Sequence, residues 1–256
     1  MAATTLRHPE ILALARAGGK VTVEDLAARF GVSVQTIRRD LATLADDGRL
    51  ERVHGGAVLP SGVANIAYEE RRALNAAAKT AIGRACAAAI PPGASVCLNI
   101  GTTTEAVARA LAGHRDLMVI TNNLNVAATL AAAEGCEVVV TGGRLRRADA
   151  GLVGHLAAAT VAEFRVDYAV IGCSALAPEG DLLDFDLAEV EVSRAILSRA
   201  RHRFLVADHS KLARGAPARI AALSEIDRLF TDRPLPAPLA ARCAEWGTAV
   251  EVCPAA

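Results

Sequence analysis

Two groups of residues in the chain have types and spacings that could bind phosphate. The first is Gly101-Thr102-Thr103-Thr104, a glycine and three hydroxyls between a predicted strand and a predicted helix. Backbone N–H groups and hydroxyls at a helix N-terminus can donate hydrogen bonds to an anion. The second is the adjacent pair Arg38–Arg39, within a short predicted helix whose N-terminus Ser33 could cap. Cationic side chains on a short helix suit DNA phosphates and base edges.

The helix with the arginine pair is amphipathic. Its predicted buried face is apolar and narrow, and it consists of Val34, Ile37, Leu41 and Leu44. The opposite face is small, polar and cationic, with Arg38 on its border: Gln35, Arg39, Ala42 and Thr43. Such a helix can pack on a neighbour and still present a polar face to a DNA groove.

The elements around this helix have the order of a winged helix-turn-helix. A helix over Val23–Phe30, capped by Thr22, precedes it, and an earlier helix is predicted over about 9–17. A wing is predicted over 50–58. The candidate DNA contacts share a polar or cationic side chain on the recognition helix or wing: Ser33, Gln35, Thr36, Arg38, Arg39, Arg52 and His54. The alternative is a small helical bundle with solvated arginines.

The stretch 6–58 resembles the DNA-binding domain of DeoR-family bacterial transcriptional regulators. The motif that carries the resemblance is VSVQTIRRDLATLADDGRLERVHGGAV, residues 32–58. The resemblance implies a winged helix-turn-helix that binds a double-stranded DNA operator.

The composition restricts the classes of protein to which the chain could belong. The 256 residues are 52% hydrophobic and 3% aromatic, with a formal net charge of zero. Residues 1–58 carry 8 Arg and Lys against 7 Asp and Glu, so DNA affinity must come from local placement of charge. We expect a domain over 1–58, a linker over 59–65 and a second domain over 66–256.

The six cysteines do not form a Cys-x-x-Cys pair, and most lie in apolar runs. This pattern favours free buried thiols over a disulfide framework or a metal site. We expect no cofactor. The N-terminus lacks a signal-peptide pattern, and no stretch is apolar enough to span a bilayer, so we expect a cytoplasmic protein without membrane contact.

The second domain alternates short apolar runs with helical segments. A long helix over 66–90, with a possible break near Asn75, comes first. Seven candidate strands follow, with helices between most of them: 95–100, 117–121, 137–141, 167–171, 203–207, 228–231 and 249–252. This alternation predicts an α/β fold with a mainly parallel sheet covered by helices.

Ligands of such sheets bind at the carboxyl ends of the strands. Five predicted strand ends there carry small, hydroxyl, amide or charged groups. The candidate ligand contacts among them are Gly101, Thr102, Thr103, Thr104, Thr121, Asn122, Asn123, Gly142, Gly143, Gly172 and Lys211. Each group has a structural alternative, since Gly-Thr and Gly-Gly runs also form turns and caps, and Asp208 with Lys211 could be a surface ion pair.

Residues 68–231 resemble the C-terminal sensor domain of the DeoR family, which is similar in fold to ribose-5-phosphate isomerase. The matching motifs are the helix with Arg71, Asn75 and Lys79, then LNIGTTT (98–104), VITNN (119–123), VVVTGGRL (138–145), VDYAVIGCSAL (166–176) and DHSK (208–211). The resemblance implies a phosphorylated sugar as effector, with phosphate at Gly101–Thr104, Lys79 among the contacts, and Asp167 and Lys211 beside the sugar. Two positions depart from the family pattern: Asn99 replaces a common aspartate and Ser193 a common lysine.

Three functions fit these observations. The first is a ligand-responsive regulator, a homo-oligomer (dimer or tetramer) that represses a carbohydrate operon until a phosphorylated metabolite binds. The second is an isomerase-like enzyme, which needs a positioned carboxylate base. Its candidates are acidic residues that we expect to be solvated: Asp181, Asp184, Asp186, Glu189 and Glu191. The third is a regulator that stays on DNA with a degenerate pocket. The sequence favours a non-enzymatic regulator.

Overall fold

The computed structural model describes residues 2–18, 20–47, 49–53, 55–58 and 68–254. The chain divides into two compact units, Met1–Ala64 and Asn65–Ala256. The predicted linker over 59–65 and His54 lie outside the described residues. Within the described ranges, no helix is long and apolar enough to cross a membrane.

The N-terminal unit is a winged helix-turn-helix. Three helices and three short strands occur in the order α1 (Ala2–Gly18), β1 (Lys20–Thr22), α2 (Val23–Phe30), α3 (Val34–Asp46), β2 (Glu51–Val53) and β3 (Gly56–Val58). The strands form an antiparallel sheet in the order β1-β3-β2, so β1 joins the two strands of the wing. The core consists of aliphatic side chains, including Ile11, Leu26, Ile37, Leu41 and Leu44.

The two predicted helix caps are confirmed. The backbone N–H of Asp25 donates to Thr22 Oγ1 over 3.1 Å, and that of Thr36 donates to Ser33 Oγ over 3.2 Å. These bonds satisfy N–H groups that have no partner inside the helix. Between α2 and α3, Gly31 has a φ of 61°, a left-handed conformation that glycine adopts without steric cost.

Two predictions for this unit were wrong, and one strand was not predicted. The helix expected from about Pro9 begins at Ala2, and Pro9 lies inside it. Strand β1 was not expected, because three residues are too few to show alternation. Val34 was assigned to the buried face but is 37% exposed, because it is the first residue of α3.

The C-terminal unit is built on a seven-stranded parallel sheet. Its first elements are α4 (Tyr68–Ala73), α5 (Ala76–Ala88), β4 (Ser95–Leu98), α6 (Thr102–Leu111), β5 (Leu117–Thr121), α7 (Leu124–Ala131), β6 (Cys136–Val140), β7 (Arg144–Arg146), β8 (Gly151–Val153) and α8 (His155–Ala162). The later elements are β9 (Val166–Ile171), β10 (Ala175–Leu176), β11 (Asp181–Asp184), α9 (Leu187–Ser198), β12 (Ala200–Val206), β13 (Ala218–Ala222), β14 (Arg228–Thr231), α10 (Ala237–Trp246) and β15 (Ala249–Val252). Single 3₁₀ turns lie at His209–Ala213 and Leu223–Glu225.

The strand order in the main sheet is β15-β14-β12-β9-β4-β5-β6, and every pairing is parallel. All seven strands predicted from the sequence are in this sheet, so the predicted α/β architecture is confirmed. The predicted break in the first long helix is also confirmed, since Asn75 separates α4 from α5 with a φ of 54°. The hairpin β7–β8 and the antiparallel sheet β10-β11-β13 were not expected.

Both faces of the sheet are covered. One core cluster joins β-strand residues such as Val96 and Val119 to Ile82 of α5 and Val107 of α6. The other cluster joins residues such as Ile171 to α8, α9 and α10. This arrangement is typical of parallel sheets. The six cysteines are free thiols, and five of them are buried.

Candidate functional site

The recognition helix α3 presents an exposed polar face. Gln35, Arg38 and Arg39 are exposed, as is Arg52 on β2 of the wing. Ser33 and Thr36 bond to each other through their hydroxyls over 2.9 Å, so these two side chains also serve the helix cap. The exposed guanidinium groups can contact phosphates and base edges.

The other side of α3 carries a buried carboxylate that the sequence pattern did not predict. Asp40 is buried, and Arg7 Nε of α1 donates to Asp40 Oδ2 over 2.9 Å. A buried charge needs a partner of this kind. Asp40 therefore fastens α3 to α1 and leaves the opposite face available.

The C-terminal unit has a cleft at the carboxyl end of β4, where α6 begins. Gly101 has φ 150° and ψ 149°, a conformation that favours glycine, and it turns the chain from the strand into α6. The cleft is open and occupies about 390 Å³, including the space that opens to solvent. Its lining combines cations, carboxylates, hydroxyls and backbone: Arg71, Ile100, Gly101, Thr102, Thr103, Thr104, Gly172, Cys173, Ser174, Asp184, Glu189, Val206 and Lys211.

Six of the predicted effector residues line this cleft: Gly101, Thr102, Thr103, Thr104, Gly172 and Lys211. The hydroxyl of Thr104 is already engaged, because it donates to the carbonyl oxygens of Asn99 and Gly101. The hydroxyls of Thr102 and Thr103 and the N–H groups at the start of α6 are therefore the donors best suited to an anion.

Seven predicted residues do not line the cleft. Thr121 ends β5, and Asn122 and Asn123 follow it at the same edge of the sheet, but these three side chains form hydrogen bonds within the protein. Gly142 and Gly143 pack against α8, where an added Cβ would lie 3.1 Å from Leu156 Cγ and 3.0 Å from Ala157 Cβ. The other two are Lys79 and Asp167.

Lys79 is buried beneath α4. Its ammonium donates to the carbonyl oxygen of Arg71 and, over 2.6 Å, to that of Leu74. Burial lowers the pKa of Lys79 to about 8, against the attraction of Asp208. Lys79 therefore holds the chain that carries Arg71.

The placement of Asp167 beside the sugar was wrong. Asp167 is the second residue of β9, and it accepts hydrogen bonds from the N–H and the hydroxyl of Ser95 at the start of β4. These bonds lower the pKa of Asp167. Because parallel strands begin at the edge opposite to their carboxyl ends, Asp167 lies across the sheet from the cleft.

Two carboxylates of the acidic stretch 181–191 are not solvated as expected. Asp184 and Glu189 are buried and line the cleft. Ser174 Oγ donates to Asp184 Oδ2 over 2.8 Å. Asp208, which could have formed a surface ion pair with Lys211, is also buried, and Asn75 Nδ2 donates to it over 2.8 Å.

A guanidinium links the hairpin β7–β8 to the start of α9. Arg146 bonds to three carboxylates: Asp149, Asp186 and Glu189. Burial and the nearby Asp184 raise the pKa of Glu189 to about 7, although Arg146 acts in the opposite direction. One cation shared among several carboxylates cannot fully compensate each of them.

The two positions that depart from the family pattern contact each other. Asn99 and Ser193 are both fully buried, and Asn99 Nδ2 donates to Ser193 Oγ over 2.8 Å. A neutral pair thus lies directly behind the Gly101–Thr104 loop, at the place where the resemblance implies an aspartate and a lysine.

Comparisons with known proteins agree with this architecture. Residues 7–63 match the DeoR-like helix-turn-helix domain, and residues 74–233 match the DeoR C terminal sensor domain. The chain is 41% identical over 249 residues to the glycerol-3-phosphate regulon repressor of Escherichia coli (strain K12), covering 97% of this chain and 99% of that one. It is also 34% identical to the HTH-type transcriptional repressor GlcR of Bacillus subtilis (strain 168), over 87% of this chain and 86% of that protein.

Among solved structures the chain is weakly similar to a D-ribose-5-phosphate isomerase in complex with phospho-erythronic acid, with 16% identity and a TM-score of 0.39. That match covers 57% of this chain and 55% of the isomerase. The two domain matches and the near full-length relatives together show that the chain belongs to the DeoR family of transcriptional regulators.

Proposed function

We propose that the protein is a repressor that binds an operator through α3 and the wing and is released by a small phosphorylated polyol or sugar. The observation that supports this most is the cleft at Gly101–Thr104. It combines N–H groups at the start of α6 with the hydroxyls of Thr102 and Thr103 and the ammonium group of Lys211. Such a set of donors suits a phosphate. The relative named above is a repressor of a glycerol-3-phosphate regulon, which makes glycerol 3-phosphate the first compound to test.

The rest of the cleft suits the hydroxyls of such a compound. Asp184 and Ser174 lie in the lining and are already hydrogen bonded to each other, so they are held in fixed positions. Carboxylate and hydroxyl oxygens accept hydrogen bonds from polyol groups. Phosphate at one end and hydroxyl recognition at the other would select a phosphorylated polyol over free phosphate.

The test removes two hydroxyl groups that could donate hydrogen bonds to the phosphate, by substitutions that should leave the fold intact. Thr102→Val with Thr103→Val nearly preserves side-chain volume and deletes both hydroxyls, while Thr104 keeps its structural bonds. We expect the variant to bind operator DNA normally and to stay bound at concentrations of glycerol 3-phosphate that release the wild type. Operator titrations by fluorescence anisotropy, with and without ligand, measure this.

The matched control is Thr129→Val with Thr160→Val. Both of these hydroxyls bond to a carbonyl oxygen of their own helix, and neither residue lines the cleft. The control should respond as the wild type does. A full ligand response in the Thr102/Thr103 variant would exclude this loop as the phosphate site.

We infer that the cleft binds its ligand without converting it. The buried Glu189 is the carboxylate whose raised pKa would suit proton transfer, but Arg146 already engages it. Incubation of the protein with glycerol 3-phosphate or ribose 5-phosphate, followed by chromatography, should return the compound unchanged. Accumulation of an isomer, lost in Glu189→Gln, would favour an enzyme.

We also propose that the protein acts in the cytoplasm as a homo-oligomer, a dimer or a tetramer. The support is physical: helix-turn-helix proteins gain affinity by placing two recognition helices on half-sites one helical turn apart. Sedimentation equilibrium at micromolar concentration tests this, and a monomer that binds operator DNA at full affinity would contradict it.

A further inference from the structure

Helix α4 is held on the C-terminal unit by polar contacts. Along the chain it is the first described element of this unit. The described side chains of α4 do not belong to either apolar core cluster of this unit. Its contacts include hydrogen bonds and an ion pair: Tyr68 with Glu105 and Asn125, Arg71 with Asp149, and the Arg71 carbonyl with Lys79.

Arg71 is the α4 residue that lines the cleft. Its Nη2 lies 3.2 Å from Asp149 Oδ2. Its Nε is buried and has no hydrogen-bond partner among the described residues. A buried donor without a partner costs free energy, and it can be satisfied by a ligand that enters the cleft.

Asp149 has a second guanidinium partner besides Arg71. Arg146 donates to both of its carboxylate oxygens, from Nε over 2.9 Å and from Nη2 over 2.7 Å. This two-point pair is the strong arrangement of a guanidinium and a carboxylate. The bond from Arg71 is longer and single, so Asp149 keeps the stronger of its two guanidinium partners when Arg71 leaves.

We propose that Arg71 is the residue that couples the cleft to DNA binding. The phosphate of the effector takes the Arg71 guanidinium from Asp149, and α4 shifts with it. Because a guanidinium binds phosphate through two parallel hydrogen bonds, the ligand contacts the shifted arrangement better than the resting one. The displacement of α4 is then carried along the chain toward the DNA-binding unit. This proposal rests on the proposed function above.

The experiment separates ligand binding from coupling. Binding of glycerol 3-phosphate to the full-length protein is measured by calorimetry. Coupling is the ratio of operator Kd at saturating ligand to operator Kd without ligand. We expect Arg71→Gln to bind the ligand about 10-fold or more weakly, because one charge-assisted bidentate contact is lost. Even at saturating ligand its coupling ratio should fall close to one.

Two variants serve as references for this result. Arg84→Gln removes the same charge from an exposed position of α5, outside the cleft, and should keep the wild-type ratio. The Thr102→Val, Thr103→Val variant should bind ligand weakly but recover the wild-type ratio once saturated, since its Arg71 can still exchange partners. Weak binding alone therefore does not imitate loss of coupling.

Asp149→Asn tests the exchange from the other side. It weakens the resting partner of Arg71, so ligand affinity should rise, by roughly 3- to 10-fold for one charged hydrogen bond. If Arg71→Gln failed to fold, as judged by thermal unfolding, this variant would decide the matter, and unchanged or weaker ligand binding would overturn the exchange. An Arg71→Gln protein that is folded and keeps the full ratio at saturation overturns the coupling role while the repressor function stands. A wild type that neither binds the ligand nor leaves the operator refutes both.

Discussion

In the N-terminal unit the cations that could contact DNA are exposed to solvent: Arg38, Arg39 and Arg52. In the C-terminal unit, by contrast, many polar groups around the cleft are buried and hydrogen bonded to one another. The first set is placed by a helix and a wing whose stability comes from the apolar residues behind them. The second set is part of the packing itself. Asn99, Asp184 and Glu189 are all buried, and each is hydrogen bonded to another side chain.

The difference separates two kinds of cost. Replacing an exposed cation has little effect on folding, since surface charges contribute about 0–1 kcal/mol to stability. Removing a buried polar group leaves a partner unsatisfied and costs about 1–3 kcal/mol, or more for a charge. Substitutions on α3 and the wing should therefore change DNA affinity alone, while substitutions behind the cleft should change stability and ligand binding together.

Asp40 shows that the contrast follows burial and not the domain. It lies on the recognition helix, yet it is buried and bonded to Arg7. By the argument above it belongs with the structural carboxylates of the other unit.

The largest expected effect is that of Asn99→Asp. The change puts a carboxylate at a fully buried position where the amide now donates to Ser193 Oγ. At pH 8 we expect a loss of about 3–5 kcal/mol in the free energy of unfolding, as for an uncompensated buried charge. Burial raises the pKa of such a carboxyl above its unfolded value, so the deficit should be small near pH 4 and grow as pH rises.

Denaturant unfolding followed by fluorescence measures this, because the single tryptophan, Trp246, lies on α10 of the C-terminal unit. Ser193→Ala is the matched control. It removes only the hydrogen-bond acceptor, and we expect a loss of about 1–2 kcal/mol that does not change with pH. Equal losses in the free energy of unfolding of Asn99→Asp at pH 5 and pH 8 would show that position 99 does not behave as a buried site.

Arg39→Ala should have the next largest effect, on DNA affinity and not on stability. Arg39 is exposed on the polar face of α3, and loss of one good base contact costs about 1–3 kcal/mol. Anisotropy titrations with an operator fragment selected by the wild-type protein measure the affinity, and circular dichroism measures the melting temperature. Arg165→Ala, an exposed cation of the C-terminal unit, is the control. Unchanged affinity and specificity would remove α3 from the interface.

How far the sequence could predict the molecule also differs between local and long-range features. The seven parallel strands and the buried positions Ile37, Leu41 and Leu44 of α3 follow from periodicity, which needs only neighbouring residues. Strands of two or three residues, such as β7 and β10, are too short to show a period.

Several polar contacts around the cleft could not be predicted, because they join positions far apart in the chain. Arg71 and Asp149 are 78 residues apart, Asn99 and Ser193 are 94, and Asn75 and Asp208 are 133. The acidic stretch was expected to be solvated, because a run of carboxylates does not indicate by itself that a distant arginine binds it. Arg146, which donates to Asp186, lies 40 residues earlier in the chain. The prediction for Asp167 came from the family resemblance alone, and it did not take into account that Asp167 lies near the start of β9.

Glu189→Gln tests how strongly the buried network responds to pH. In the native state the pKa of Glu189 lies at about 7, above its ordinary value of 4.5, because burial and Asp184 disfavour the charged form. Between these values the folded protein holds a proton that the unfolded chain releases, so the stability contributed by Glu189 decreases as pH rises through this window. The neutral glutamine should flatten that part of the profile, by on the order of 1–2 kcal/mol between pH 5 and pH 8.

Unfolding curves at pH 5, 6, 7 and 8 provide the measurement. Glu191→Gln is the matched control, since Glu191 is two residues further along α9 and exposed. Its profile should follow the wild type. Parallel profiles for the wild type and Glu189→Gln would mean that Arg146 compensates Glu189 fully.

The smallest expected effect, Arg52→Ala, distinguishes the wing from the recognition helix. Arg52 is exposed on β2, and a wing cation contacts phosphate, which carries no base information. We expect weaker binding by about the same factor, roughly 1 kcal/mol or less, on the operator and on unrelated DNA. The slope of log K against log salt should become shallower by about one, because one fewer counterion is released from the DNA. Arg39→Ala should instead lower the ratio of specific to unrelated binding. If Arg52→Ala changed base preference at an unaltered slope, the wing would read sequence, and the assignment of base contacts to α3 alone would fail.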